Sequence, residues 1–94
     1  METQSTKAVI TVVGKDHRGI ISVVSTALAE NNVNILDISQ TIIDGFFSMI
    51  MVVDISEATI SLGDLNQTLQ SIAKKTKTQI TCQHEDIFNF MHRV

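Results

Sequence analysis

Apolar side chains come in blocks along this chain, and the spacing inside the blocks switches between two periods. Residues 7–13, KAVITVV, are rich in β-branched side chains and read as a strand. After a polar break, Ile20, Val24 and Leu28 recur at i, i+4 and i+8, with Ile21, Ala27 and Ala29 beside them. That is the stripe of an amphipathic helix. The segment ENNVN closes it, because Asn tolerates the left-handed conformation that ends helices. Residues 33–43, VNILDISQTII, read as a second strand with imperfect alternation: Leu36, Ile38 and Ile42 share one parity, while Val33, Ile35 and Ile43 take the other. A β-bulge between Ile35 and Ile38 reconciles the two halves. Asp44-Gly45 is a hairpin signal, so residues 46–54 should pair antiparallel with the second strand.

Ser61 with Asp64 three positions on resembles a capping box with a shortened acid. Leu62, Leu65, Leu69 and Ile72 then form a second helical stripe, ending in KKTK, where cations suit the negative helix end. Residues 78–83, TQITCQ, make a short fourth strand with Ile80 and Cys82 on one face. Residues 1–6 read as a flexible polar tail. In the last segment, 84–94, a short helix would put Ile87, Phe88 and Met91 on one side.

The order is β-α-β followed by β-α-β, with a tight hairpin between. This predicts an α+β, ferredoxin-like βαββαβ fold: a four-stranded antiparallel sheet with two helices on one face, spanning residues 7–83. The other face of such a sheet is normally polar in a monomer. The third strand breaks that rule. Phe47, Met49, Met51 and Val53 lie on one parity and Phe46, Ile50 and Val52 on the other, with only Ser48 polar between them. Something should cover the second face; another copy of the chain is the favoured cover, and the C-terminal segment the alternative.

Composition narrows the class. The chain has 94 residues, 44% hydrophobic, which fits one domain that is marginal on its own. No apolar run approaches the ~20 residues of a membrane span, and the start does not resemble a signal peptide. Cys82 is the single cysteine, so no internal disulfide can form and a cytoplasmic setting is expected. Net charge is −3, and the basic residues Lys7, Lys15, Arg18, Lys74, Lys75, Lys77 and Arg93 are scattered, which argues against a nucleic-acid partner.

Most catalytic chemistry lacks its residues. Cys82-x-His84 has no second pair to complete a structural zinc site, and His17 and His92 stand apart from it. No serine sits in a glycine-flanked elbow. Acylphosphatases share the architecture and hold phosphate in the first strand-to-helix loop. Arg18 beside Gly19 suggests that chemistry faintly, while Asp16 opposes it. No metal, cofactor or catalytic residue is expected.

The remaining feature is residues 12–21, VVGKDHRGII, which spend two of the chain's four glycines. Gly14 and Gly19 permit unusual backbone conformations and close approach of a ligand. The helix starting near Gly19 turns its free amides to this loop, where a carboxylate can dock. Asp16 can cap those amides itself or accept an amino group. Asn34, at the start of the second strand, offers both donor and acceptor, and is expected close to the loop.

Residues 14–40, GKDHRGIISVVSTALAENNVNILDISQ, resemble the opening half of an ACT domain, the small-molecule-sensing module attached to many enzymes of amino-acid metabolism. The shared features are Asp16-x-x-Gly19-Ile20, the Val24/Leu28 stripe and Val33-Asn34-Ile35. The likeness extends over residues 7–83 and is greatest to the small stand-alone bacterial ACT proteins. It implies a homodimer that binds an amino acid or similar ligand at the subunit interface, without catalysis, in the service of a metabolic enzyme. Carried over, the ligand contacts are Gly14, Asp16, His17, Arg18, Gly19, Ile20, Asn34 and Ile35. Relatives often have proline where this chain has Arg18, which leaves the loop less constrained and adds a charge. Some ACT domains serve only as assembly interfaces, and that reading stands beside the first.

Overall fold

The computed structural model describes residues 6–15 and 19–86. In chain order these form β1 (Lys7–Lys15), α1 (Ile20–Glu30), β2 (Asn34–Ile43), β3 (Phe46–Asp54), α2 (Leu62–Thr76) and β4 (Gln79–His84). The strands make one sheet in the order β2-β3-β1-β4, antiparallel throughout. This is the expected ferredoxin-like arrangement. The helix anticipated around Ile87, Phe88 and Met91 lies outside the described residues.

Local chemistry accounts for the joints. Asp44 and Gly45 both have positive φ, 54° and 85°, as a type I′ hairpin turn requires. Ser61 caps α2 by accepting the Asp64 N–H at 3.0 Å on its side-chain oxygen. Asn32, at φ 58°, turns the chain out of α1, and its side-chain amide donates to the Glu57 carbonyl at 2.9 Å. The bulge falls where parity demanded it. Ile35 pairs with Val53 and Asp37 with Val52, leaving Leu36 as the extra residue. Without it, Ile35 and Ile38 could not share a face.

The core lies between the helices and one face of the sheet. Ala8, Ile10 and Val12 of β1 and Phe47, Met49, Met51 and Val53 of β3 pack with Val24 and Leu28 of α1, Leu65 and Leu69 of α2, and Ile80 and Cys82 of β4. All are buried. The opposite parity carries Thr11, Val13, Ser48, Ile50 and Phe46 to the other face, where Thr11 and Thr81 join hydroxyl to hydroxyl across β1 and β4. Phe46 is 53% exposed and Val13 43%. The apolar second face expected from β3 is therefore present. On the edge strand, Ile42 shares a face with its partner Phe47, yet is 63% exposed because it lies beyond the helices' cover.

The ends of β1, β2 and β4 differ from expectation by one or two residues. β1 continues through Gly14 and Lys15, which pair with Phe47 and Phe46. β4 starts at Gln79, because Lys77 closes α2 in a left-handed conformation and Thr78 N–H bonds back to the Ala73 carbonyl at 3.0 Å.

Candidate functional site

The residues singled out in the sequence fall into two groups. The first surrounds the turn from β1 to α1. Gly19 sits at the helix N-cap with φ 82°, a left-handed conformation that disfavours any side chain. The first bond of α1 runs from Val23 N–H to the Gly19 carbonyl at 3.0 Å. The amides of Ile20, Ile21 and Ser22 precede it, so this end of the helix offers donors and the positive end of its dipole. Ile20 itself is 3% exposed and packed in the core, so only its backbone can serve a ligand. Asp16, His17 and Arg18 lie outside the described residues.

Gly14 does not take the unusual backbone conformation that its sequence suggested. It is a strand residue, and a β-carbon there would lie 2.7 Å from Thr78 Cγ2. Close packing against the α2–β4 turn, rather than an unusual loop conformation, requires glycine at this position.

The second group lies at the other end of the sheet. Asn34 opens β2 and stands opposite Asp54, which in turn stands opposite Lys7 at the start of β1. Gly14 belongs to the far end of that same strand. At ~3.3 Å per residue, Lys7 and Gly14 are about 23 Å apart. The expectation that Asn34 lies close to the loop is thus corrected within one chain. The physical reason is the crossover: α1 carries the chain back along β1, so β2 begins at the end of the sheet where β1 began.

Around Asn34 the surface opens into a cavity of about 470 Å³ lined by Asn32, Asn34, Asp54 and Glu57 among others. Ile35, half-buried, packs against the core beside it. The Asp54 carboxyl is held below the usual carboxylate range, chiefly by the Ser56 N–H at 2.8 Å, then by the hydroxyls of Ser56 and Thr6 and the charge of Lys7. It therefore carries its negative charge beside Asn34 at neutral pH. Sequence reasoning missed Asp54. Counting back from the Asp44-Gly45 hairpin and allowing one bulge residue places it opposite Asn34, so the signal was available.

Among the described residues no group of three or more His, Cys, Asp or Glu could hold a metal. Burial pushes the Cys82 thiol up to about 11, away from the reactive thiolate. No described helix is long and apolar enough to cross a membrane.

Comparison with known proteins agrees with this fold. A UPF0237 protein of Clostridium perfringens is 58% identical over 87 residues, covering 93% of this chain and 98% of the relative. A UPF0237 protein of Methanocaldococcus jannaschii is 49% identical over 88 residues, covering 94% and 98%. Among solved structures, an ACT domain protein from Streptococcus pneumoniae superposes with a TM-score of 0.78 at 39% identity, covering 90% of this chain and 96% of that one. Residues 6–83 match the family described as the ACT domain. The chain belongs to the ACT-domain family, and the likeness first seen at residues 14–40 runs through both of its βαβ halves.

Proposed function

We propose that the protein is a non-catalytic regulatory module that takes up an amino acid, or a small molecule like one, between two copies of the chain. It would act in the cytoplasm on a metabolic enzyme. The observation that carries this reading is the separation of the two groups of candidate residues to opposite ends of the sheet within one copy. A two-fold pairing with strands running antiparallel brings the β1–α1 turn of one copy to Asn34 and Ile35 of the other. The turn then offers helix amides to a carboxylate, and the Asn34 end offers a carbonyl oxygen to an ammonium group. The exposed apolar residues of β2, with Ile50 on the open sheet face, supply surface for such a pairing. The same exposed surface also supports the alternative of a purely structural interaction domain.

Complementation tests the shared site. Asp16→Ala and Asn34→Ala should each abolish amino-acid binding by calorimetry. Mixing the two variants should restore binding in a fraction of the dimers, because each mixed dimer keeps one site with both walls intact. Binding by either variant alone at wild-type affinity, or no recovery on mixing, would contradict the shared site.

A further inference from the structure

A second cavity, of about 460 Å³, opens at the Lys15 end of the sheet. Three separate stretches of chain line it: residues 13–15 at the end of β1, Phe46 at the start of β3, and residues 77–79 in the α2–β4 turn. It is complete within one chain, unlike the interface site.

Its charge runs against that of the protein. The chain carries a net −3, yet both Lys15 and Lys77 line this cavity, and no carboxylate does among the described residues. Phe46 and Val13 supply an exposed apolar wall beside the two cations. Lys77 also occupies its position against conformational preference. Its φ is 58°, where glycine is favoured at the end of a helix. The ordinary reason for lysine near a helix C-terminus is to complement the dipole, but Lys74 and Lys75 already do so from the last turn of α2.

The pocket is held in shape before any ligand arrives. Gly14 lets Thr78 approach β1 so closely that no β-carbon fits between them. The Thr76 hydroxyl donates to the Ile72 carbonyl at 2.8 Å, and the Thr76 and Thr78 hydroxyl oxygens are 2.9 Å apart. The two lysine-bearing segments are thereby fixed side by side. Preorganisation of this kind lowers the cost of binding.

We propose that this cavity binds a small organic anion with an apolar body, of the arylalkyl carboxylate class. The carboxylate sits between Lys15 and Lys77, and the hydrocarbon lies on Phe46 and Val13.

The test is an amide-resolved NMR titration of the intact protein with hydrocinnamate at low salt. Saturable shifts are expected at residues 13–15 and 77–79, with affinity falling as salt is raised. Neutral hydrocinnamamide and cationic phenethylammonium should leave those amides unmoved. Lys77→Gly separates binding from folding: it should raise the melting temperature by relieving the left-handed lysine, yet weaken hydrocinnamate about tenfold, the loss of one charge-assisted contact. Lys15→Gln should weaken it comparably. Unchanged affinity in Lys77→Gly, or equal shifts with the neutral amide, would overturn the proposal. Shifts confined to residues around Asn34 would overturn it too, while leaving the interface reading intact.

Discussion

A β-carbon at position 14 would lie 2.7 Å from Thr78 Cγ2, inside any real contact distance. The Thr78 side chain cannot simply swing aside, since it is branched at Cβ and in hydroxyl contact with Thr76. Gly14→Ala should therefore cost about 1–3 kcal/mol, the usual range for overpacking, read as a lower urea midpoint. Thr78→Ser in the same chain removes the offending methyl and should return part of the loss. Equal stability of Gly14→Ala and wild type would show that the turn yields freely. Cys82 permits a prediction about pH. Its thiol rises from an ordinary 9.0 to about 11 on burial. Between those values the folded chain holds a proton that the unfolded chain has lost, so stability should be full below pH 9 and fall as pH rises toward 11. Native Cys82 should likewise resist thiol reagents at about pH 8, below its own titration. Rapid labelling of the folded protein would contradict its burial.

The elements whose signals are local could be read from the sequence. Asp44-Gly45 announced a turn with two positive φ angles, and the parity break between Ile35 and Ile38 announced the bulge. Ser61 announced the start of α2, and Ser61→Ala should cost about 1 kcal/mol through loss of the bond to the Asp64 amide. Thermal unfolding measures that directly, and an unshifted melting temperature would mean the cap is redundant. What the sequence hid depended on other parts of the chain. Gly14 looked like a loop glycine because Thr78, far away in sequence, is what excludes a side chain. Asn34 looked like a neighbour of the glycine turn because direction is invisible in a residue list. An 11-residue helix, at ~1.5 Å per residue, returns the chain about 16 Å along the sheet. The two sheet edges also differ in a way that sequence patterning did not suggest. On β4 the Ile80 carbonyl accepts the Gln70 side-chain amide at 2.5 Å, which occupies part of that edge. On β2, exposed Leu36, Ile38 and Ile42 leave a more adhesive border.

For the whole molecule, the helices cover most of one sheet face but leave Ile38 and Ile42 of β2 exposed, and the other face still exposes Ile50. A single small domain gains little from leaving such residues in water. Their presence, with the adhesive β2 edge and the opposite-end placement of the glycine turn and Asn34, is what the proposal of a site shared by two copies rests on. Binding only to that folded unit must raise its stability, by ~2.7 kcal/mol at about 100 times the dissociation constant, or roughly 10 °C or more for a domain of this size. The most direct measurement is the melting temperature of the protein against each common amino acid at millimolar concentration. The regulatory reading predicts a clear rise with one or a few of them and none with the rest. A flat response across the whole panel would contradict it.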